Sequence, residues 1–293
     1  VSTPPLRATI FGTLRNALIW LTLLAAWETA YRTVGWRPYV FPAPSHVLDA
    51  TLGMLNVRTG FGEAISAHWP AAATPARGKA DASIVASPLV IANLTSLTRL
   101  AIAFAISVMV GSALGLAMWR IRWLDELLGP AFLGLQTIPS VCWVPLAILT
   151  FQIDERAILF VTVMGSFFAV AIAMRDGLKG IPPVYARAGL MLGASGWRLY
   201  RYVLLPASLP ALASSLRQGF GFAWRSLLGG ELLIYVQRQG LGYLLHVGRE
   251  FGDVAQVVAI MFVMVFIGMT ADRLLFARIE KRVHRRFGLS PAT

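Results

Sequence analysis

A chain of 293 residues with mean hydropathy +0.66, 57% hydrophobic and only 14% charged residues lies outside the range of soluble globular domains. Its formal charge of +12 would suit nucleic acid, but the cations flank apolar runs instead of clustering on a polar module. That pattern orients membrane helices, so a membrane protein with no nucleic-acid partner is expected. Cys142 is the one cysteine, so no intramolecular disulfide can form, and its apolar surroundings read as those of a buried small hydrophobe. His46, His68, His246 and His284 lack ligand spacing, and no metal site is read.

Six apolar stretches approach or exceed the roughly 20 residues a helix needs to cross a bilayer: 10–31, 97–119, 127–151, 157–174, 209–235 and 254–276. The first is read as an uncleaved anchor, because Trp27 and Glu28 stand where small residues would mark a cleavage site. Residues 32–96 form a long outer loop, rich in Pro, Ala and Gly, with an aperiodic middle at 71–80 that reads as flexible. The third stretch carries Pro130, Pro139 and Pro145, each of which removes a backbone donor, so a straight helix is not expected there. Its freed carbonyls suit either a kinked packing helix or one that lines a pathway.

Basic residues give the orientation. Arg7, Arg15, Arg120, Arg122, Arg175, Lys179, Arg187, Arg198, Arg201, Arg278, Lys281, Arg282, Arg285 and Arg286 fall on one side, against Arg156, Arg238 and Arg249 in short loops on the other. Arg32, Arg37, Arg58, Arg77 and Lys79 sit in the long loop, whose charge counts less. Both termini are therefore expected in the cytoplasm, with residues 277–293 as a basic tail.

Between the fourth and fifth stretches lies a polar interlude, 182–206. Pro182 and Pro183 open a short helix over 184–192, Gly193 can end it in the left-handed conformation, and Ser195 can cap a second helix from Gly196 and Trp197. Pro206 is expected to stop that helix, and Pro210 to begin the next. The exposed side would offer Arg187, Trp197, Arg198, Tyr200 and Arg201.

This interlude resembles the loop that binding-protein-dependent ABC importer permeases present to their ATPase. The pattern is Glu-Ala-Ala, three residues, Gly, nine residues, an aliphatic, one residue, then Leu-Pro. Gly193, Val203, Leu205 and Pro206 fall on it at its spacing; Arg187, Ala188 and Gly189 stand where Glu-Ala-Ala would be, so only the alanine matches. Residues 136–147, with Gln136, Pro139 and Trp143, are similar to the third helix of the sulfonate, taurine and nitrate group. So are residues 219–225, the Gly230-Glu231 pair and residues 240–244, and the likeness covers about 91–287.

The resemblance implies an all-α, type I importer-like permease with six spans and a cytoplasmic coupling loop. Its expected partners are a second copy of the chain, two cytoplasmic ATPases, an outer binding protein and the bilayer of a bacterial inner membrane. ATP and magnesium would serve the partner ATPase. The chain itself binds no cofactor and is not an enzyme, since Gly78-Lys79 lacks the remaining residues of a phosphate-cradling loop.

Within the spans, Arg225 and Glu231 lie deepest, six residues apart and so not an i,i+4 pair. Arg225 suits an oxyanion on a pathway, or a structural pairing with Glu231 of a second copy or with an interhelical carbonyl. Gln136, Pro139 and Trp143 are further pathway candidates, with Phe167 behind them. Arg99 and Asp272 are read as snorkelling at span ends, and Arg217 as reaching the inner surface. Residues 111–115 form a small-residue packing face, and Gly229-Gly230 could mark a hinge. An ion-coupled carrier, a scaffold without transport, and an importer of a non-anionic solute are the rival readings.

Overall fold

The computed structural model describes residues 6–37, 40–55 and 87–286, and every element among them is helical. The flexible segment expected at 71–80, with Gly78, Lys79 and His68, lies outside the described residues. The chain divides into two compact units, Val1–Ile91 with Leu244–Val263 and Ala92–Tyr243 with Met264–Thr293.

In the first unit, helix α1 (Leu6–Val34) is followed by α2 (Pro44–Met54), which begins on a proline, as a first helical turn allows. The Trp27 ring lies 5.5 Å from Phe41 and 6.2 Å from Phe262, and Glu28 accepts hydrogen bonds from the backbone and hydroxyl of Ser45. The expected loop 32–96 is therefore partly helical. Helix α3 (Pro88–Arg120) also starts nine residues before the apolar run at 97. Polar Asn93, Ser96 and Arg99 break the run in hydropathy without breaking the helix, because Ser96 and Arg99 are buried against other helices.

The second unit is organised around α6 (Glu155–Lys179). Of its most apolar window 61% is buried, against 28% for α3 and 17% for the run Val254–Glu280, so α6 is core and the other two present most of their surface outward. Phe167 and Phe168 of α6 pack with Met118 and Phe132, the Phe132 ring lying 5.4 and 5.2 Å from the two phenylalanines. The small-residue face of α3 meets α6 directly: a Cβ at Gly111 would lie 3.0 Å from the Phe167 carbonyl, and one at Gly115 would be 2.7 Å from Met174 Cβ. Packing is the use this face finds.

The proline-rich third stretch is broken as its sequence predicts. Helix α4 (Arg122–Thr137) and the pair of a 3₁₀ turn (Ser140–Trp143) with α5 (Val144–Phe151) meet at a bend of 101°. Pro139 stands at the break, Pro145 starts α5, and Pro130 is carried inside α4. Cys142, on the 3₁₀ turn, is exposed and not buried, since the turn aims it away from the core.

Beyond α6 come α7 (Pro183–Met191), α8 (Gly196–Leu199), a π turn (Tyr200–Leu204) and α9 (Leu205–Leu233). Pro206 does not stop the second interlude helix: residues 196–233 run as one helical rod with both Pro206 and Pro210 inside it. The π turn accounts for Pro206, because the Leu205 N–H already reaches back to the Tyr200 carbonyl, while Pro210 is carried inside α9. Widening the ladder there takes up the clash and the lost donor that a proline brings. Gly229 and Gly230 likewise lie within unbroken α9, so the helix has no break at that pair. Helices α10 (Leu241–Glu250), α11 (Val254–Ala271), a second π turn (Asp272–Phe276) and α12 (Ala277–Arg286) complete the described residues.

Among the described residues three helices are long and apolar enough to cross a membrane, Pro88–Arg120, Glu155–Lys179 and Val254–Glu280, and the bent pair brings the number to four. Helix α9 has the length, at 29 residues, but not the apolarity. In α9 the polar positions Arg217, Gln218, Arg225 and Glu231 dilute it, and Glu231 is wholly enclosed by protein.

Candidate functional site

Three places in the second unit carry polar chemistry. The first is a cleft of about 240 Å³ at the bend between α4 and α5. Gln136, Thr137, Pro139, Ser140 and Val141 come from the break itself, Met164 and Gly165 from α6, and Phe222, Arg225 and Ser226 from α9. The Arg225 side chain is exposed, donates from Nε to the Gly221 carbonyl at 3.1 Å, and lies 4.8 Å over the Phe222 ring. Among the described residues it makes no ion pair, and no carboxylate lines the cleft. A guanidinium with unfilled donors beside an amide and three hydroxyls is a surface for an oxyanion.

Three of the expected pathway residues, Gln136, Pro139 and Arg225, are thus brought together, with Thr137, Ser140 and Ser226 beside them. Two are not. Trp143 packs 6.3 Å from Phe168 on the core side of the 3₁₀ turn. Glu231 belongs to the second place.

That place is a closed ionic cluster between α3, the start of α6 and the end of α9. Arg99 of α3, 4% exposed, donates through Nε and Nη2 to Glu155 at the start of α6, both at 2.7 Å. Its Nη1 donates to Glu231 near the end of α9 at 2.7 Å, and its Nη2 also reaches the Arg238 carbonyl at 2.6 Å. Glu231, 1% exposed, further accepts from the Ser96 hydroxyl at 2.7 Å and from the Gly242 N–H at 3.1 Å. Ser96 Oγ in turn accepts the Leu241 N–H at 2.9 Å.

The glycines around Glu231 make room for it: a Cβ at Gly240 would run into the carboxylate, and one at Gly242 would be 2.5 Å from Glu231 Cβ. Arg99 is therefore not a snorkelling residue. Burial with two carboxylates and a carbonyl replaces the water it would otherwise seek. The available signal was Ser96 and Arg99 three residues apart, on one face of an otherwise apolar helix. Asp272 is likewise engaged, accepting from Arg217 Nε and Nη2 at 2.5 and 2.6 Å, while Glu280 takes Arg217 Nη1 at 3.0 Å.

The third place is the interlude. Helix α7 ends in a Schellman motif: the Ala194 N–H bonds the Gly189 carbonyl at 3.0 Å and the Gly193 N–H bonds that of Leu190 at 3.0 Å. Gly193 takes φ +80°, which a β-branched residue reaches only with strain. Gly189 is buried where the two short helices cross; a Cβ there would meet Leu199 at 2.6 Å and Val203 at 3.0 Å. Ser195 occupies the cap position before α8, but through its carbonyl, which accepts from Arg198; its side chain makes no cap bond.

The interlude turn thrusts apolar side chains outward. Met191 is 86% and Leu192 88% exposed, and Leu190 and Trp197 are exposed beside them. Arg187, Ala188, Arg198 and Arg201 rim this ridge, while Leu205 and Pro206 lie half-buried at the base of the rod. Tyr200, expected on the exposed side, is half-buried between Trp197 at 5.2 Å and Trp119 at 6.1 Å, and burial pushes its hydroxyl pKa up.

Residues 84–285 match the family described as binding-protein-dependent transport system inner membrane component. Similar proteins include one of Methanocaldococcus jannaschii, provisionally named an ABC transporter permease protein, 32% identical over 62% of this chain and 67% of that one. The nitrate import permease protein of Synechocystis is 27% identical over 61% of this chain and 65% of its own length. The bicarbonate transport system permease protein of Synechococcus elongatus is 27% identical over 62% and 66%. The chain thus spans about two thirds of the length of the curated relatives it matches.

Proposed function

The chain belongs to the family of binding-protein-dependent transport system inner membrane components, and we propose that it forms half of the translocation pathway of an ATP-driven importer. The observation that carries this reading is the interlude. A short helix, a positive-φ glycine and a second short helix hold an exposed apolar ridge at the end of the unit away from the Arg99 cluster. Apolar patches rimmed by cations mark protein contacts on otherwise solvated surfaces. The ridge is the seat of a cytoplasmic ATPase subunit, one for each of two copies of this chain. The rod of residues 196–233 runs without a break from that seat to Arg225 in the cleft, so a push on the interlude reaches the pathway.

The cargo is a small anion handed over by an outer binding protein. Its passage is supported by Arg225, Gln136, Thr137, Ser140 and Ser226 in a cleft free of carboxylates, and by relatives named for nitrate and bicarbonate. The chain works in a bacterial inner membrane with six spans and both termini inside. ATP and magnesium are handled by the partner; the chain supplies the pathway and the coupling surface and hydrolyses nothing.

The test is recovery of the cognate ATPase subunit with the purified chain, with hydrolysis stimulated by loaded binding protein in liposomes. Leu192→Glu should abolish recovery by placing a charge on the ridge. Gly193→Val, forced into a positive φ, should lower both recovery and stimulation about tenfold. Full recovery and full stimulation in both variants would remove the ridge as the ATPase seat.

A further inference from the structure

Helix α11, the second π turn and α12 form one helical run over residues 254–286, and only 17% of its apolar window is buried within the protein. Helix α12, Ala277–Arg286, therefore emerges at the boundary of the bilayer. Its register places Arg278 and Arg282 on one face, about 40° apart. The one carboxylate of the helix, Glu280, lies on the opposite side, where it accepts hydrogen bonds from Arg217 at 3.0 Å and Ser214 at 2.8 Å. The acid is turned inward, and Arg278 and Arg282 are left exposed on the other side.

Arg273, Arg278 and Arg282 are exposed, and Leu274, Leu275 and Ile279 are exposed between them. Among the described residues Arg278 and Arg282 make no ion pair. Half-exposed leucine and isoleucine alternating with arginine fit poorly in water. They fit well where acyl chains give way to headgroups, with the apolar side chains in the tails and the guanidinium groups level with the phosphates. We infer that this cationic face of α12 binds the phosphate headgroups of anionic lipids. Arg278 and Arg282 are the principal contacts, and Glu280 and Arg217 hold the helix in the orientation that presents them. The guanidinium fork matches a phosphate, and a basic cluster next to a span is drawn to an anionic leaflet.

The experiment counts lipids retained by the intact chain in neutral detergent, by native mass spectrometry, with phosphatidylglycerol and phosphatidylcholine of the same acyl chains offered together. The wild-type chain should prefer phosphatidylglycerol. Arg278→Gln with Arg282→Gln should lower that preference roughly 25-fold, at about fivefold per cation, and raised salt should lower it in the wild type. Arg156→Gln, on an exposed arginine at the opposite end of the unit, should leave it unchanged.

Equal retention of the two lipids by the wild type, an unchanged preference in the double variant, or the same loss in Arg156→Gln would overturn the inference. So would displacement of the lipid by inorganic phosphate, which would mark a site for the free anion, or by an added ATPase subunit, which would mark a protein contact. Should the double variant not purify as a monodisperse species, the salt, inorganic phosphate and Arg156→Gln arms still decide.

Discussion

Arg99 and Arg225 are buried and exposed versions of the same side chain, and desolvation separates their roles. Arg99 has lost its water and is held by Glu155, Glu231 and the Arg238 carbonyl. Removing it strands Glu231, 1% exposed, without its counter-charge. Arg99→Ala should therefore cost about 3–5 kcal/mol of stability, read as a drop in melting temperature in detergent. Arg225 keeps open donors in the cleft and supports little packing, so Arg225→Ala should leave that melting temperature within a degree or two and reduce anion uptake at least tenfold. Unchanged uptake by an assembled Arg225→Ala complex would return this arginine to the surface, and an Arg99→Ala chain as stable as wild type would show the cluster to be ornamental. The contrast was only half legible in the sequence. Arg225 and Glu231 stand out as charges deep in one span, but charge in an apolar run does not say which partner folds against it.

At the level of elements, α3 and α6 approach each other through glycine. A Cβ at Gly115 would enter the space of the Ala171 carbonyl and Met174. Gly115→Val should force the helices apart and cost about 1–3 kcal/mol, and a variant that melts with the wild type would mean the two helices do not pack at that register. The long rod of residues 196–233 makes a different point. Its prolines predict a stop at Pro206 and a start at Pro210, yet the π turn just before Pro206 lets the helix continue, and Pro210 lies inside α9. Proline chemistry was read correctly; the compensating turn depends on how the ladder is spaced upstream, which no residue type announces. In the bent third stretch nothing compensates in this way, and Pro139 sits at a 101° break.

For the whole molecule, the helices of the second unit alternate ends. The interlude and the Arg217–Glu280 contact lie at one end, and the Arg99 cluster with the 152–156 connection lies at the other. If the first of these ends is cytoplasmic, a cysteine at Ser195 should react with an impermeant thiol reagent only in inverted vesicles, and one at Ile153 only in intact spheroplasts. Both are placed in a Cys142→Ser background, because Cys142 is exposed. Reaction of both from the same side would reject the alternation.

The membrane class, the broken third stretch, the positive φ at Gly193 and the family itself followed from the sequence. Each rests on local chemistry: transfer of apolar residues, a missing donor, a missing Cβ, and a short run of residues at fixed spacing. Tertiary structure alone decided that Arg99 and Glu231 share a buried cluster 132 positions apart, that Gln136, Pro139 and Arg225 face one cleft while Trp143 does not, and that α9 is a continuous rod. Those outcomes depend on which surfaces lose their water together. Desolvation is a property of neighbours in space, and a linear chain specifies its neighbours only once it has folded.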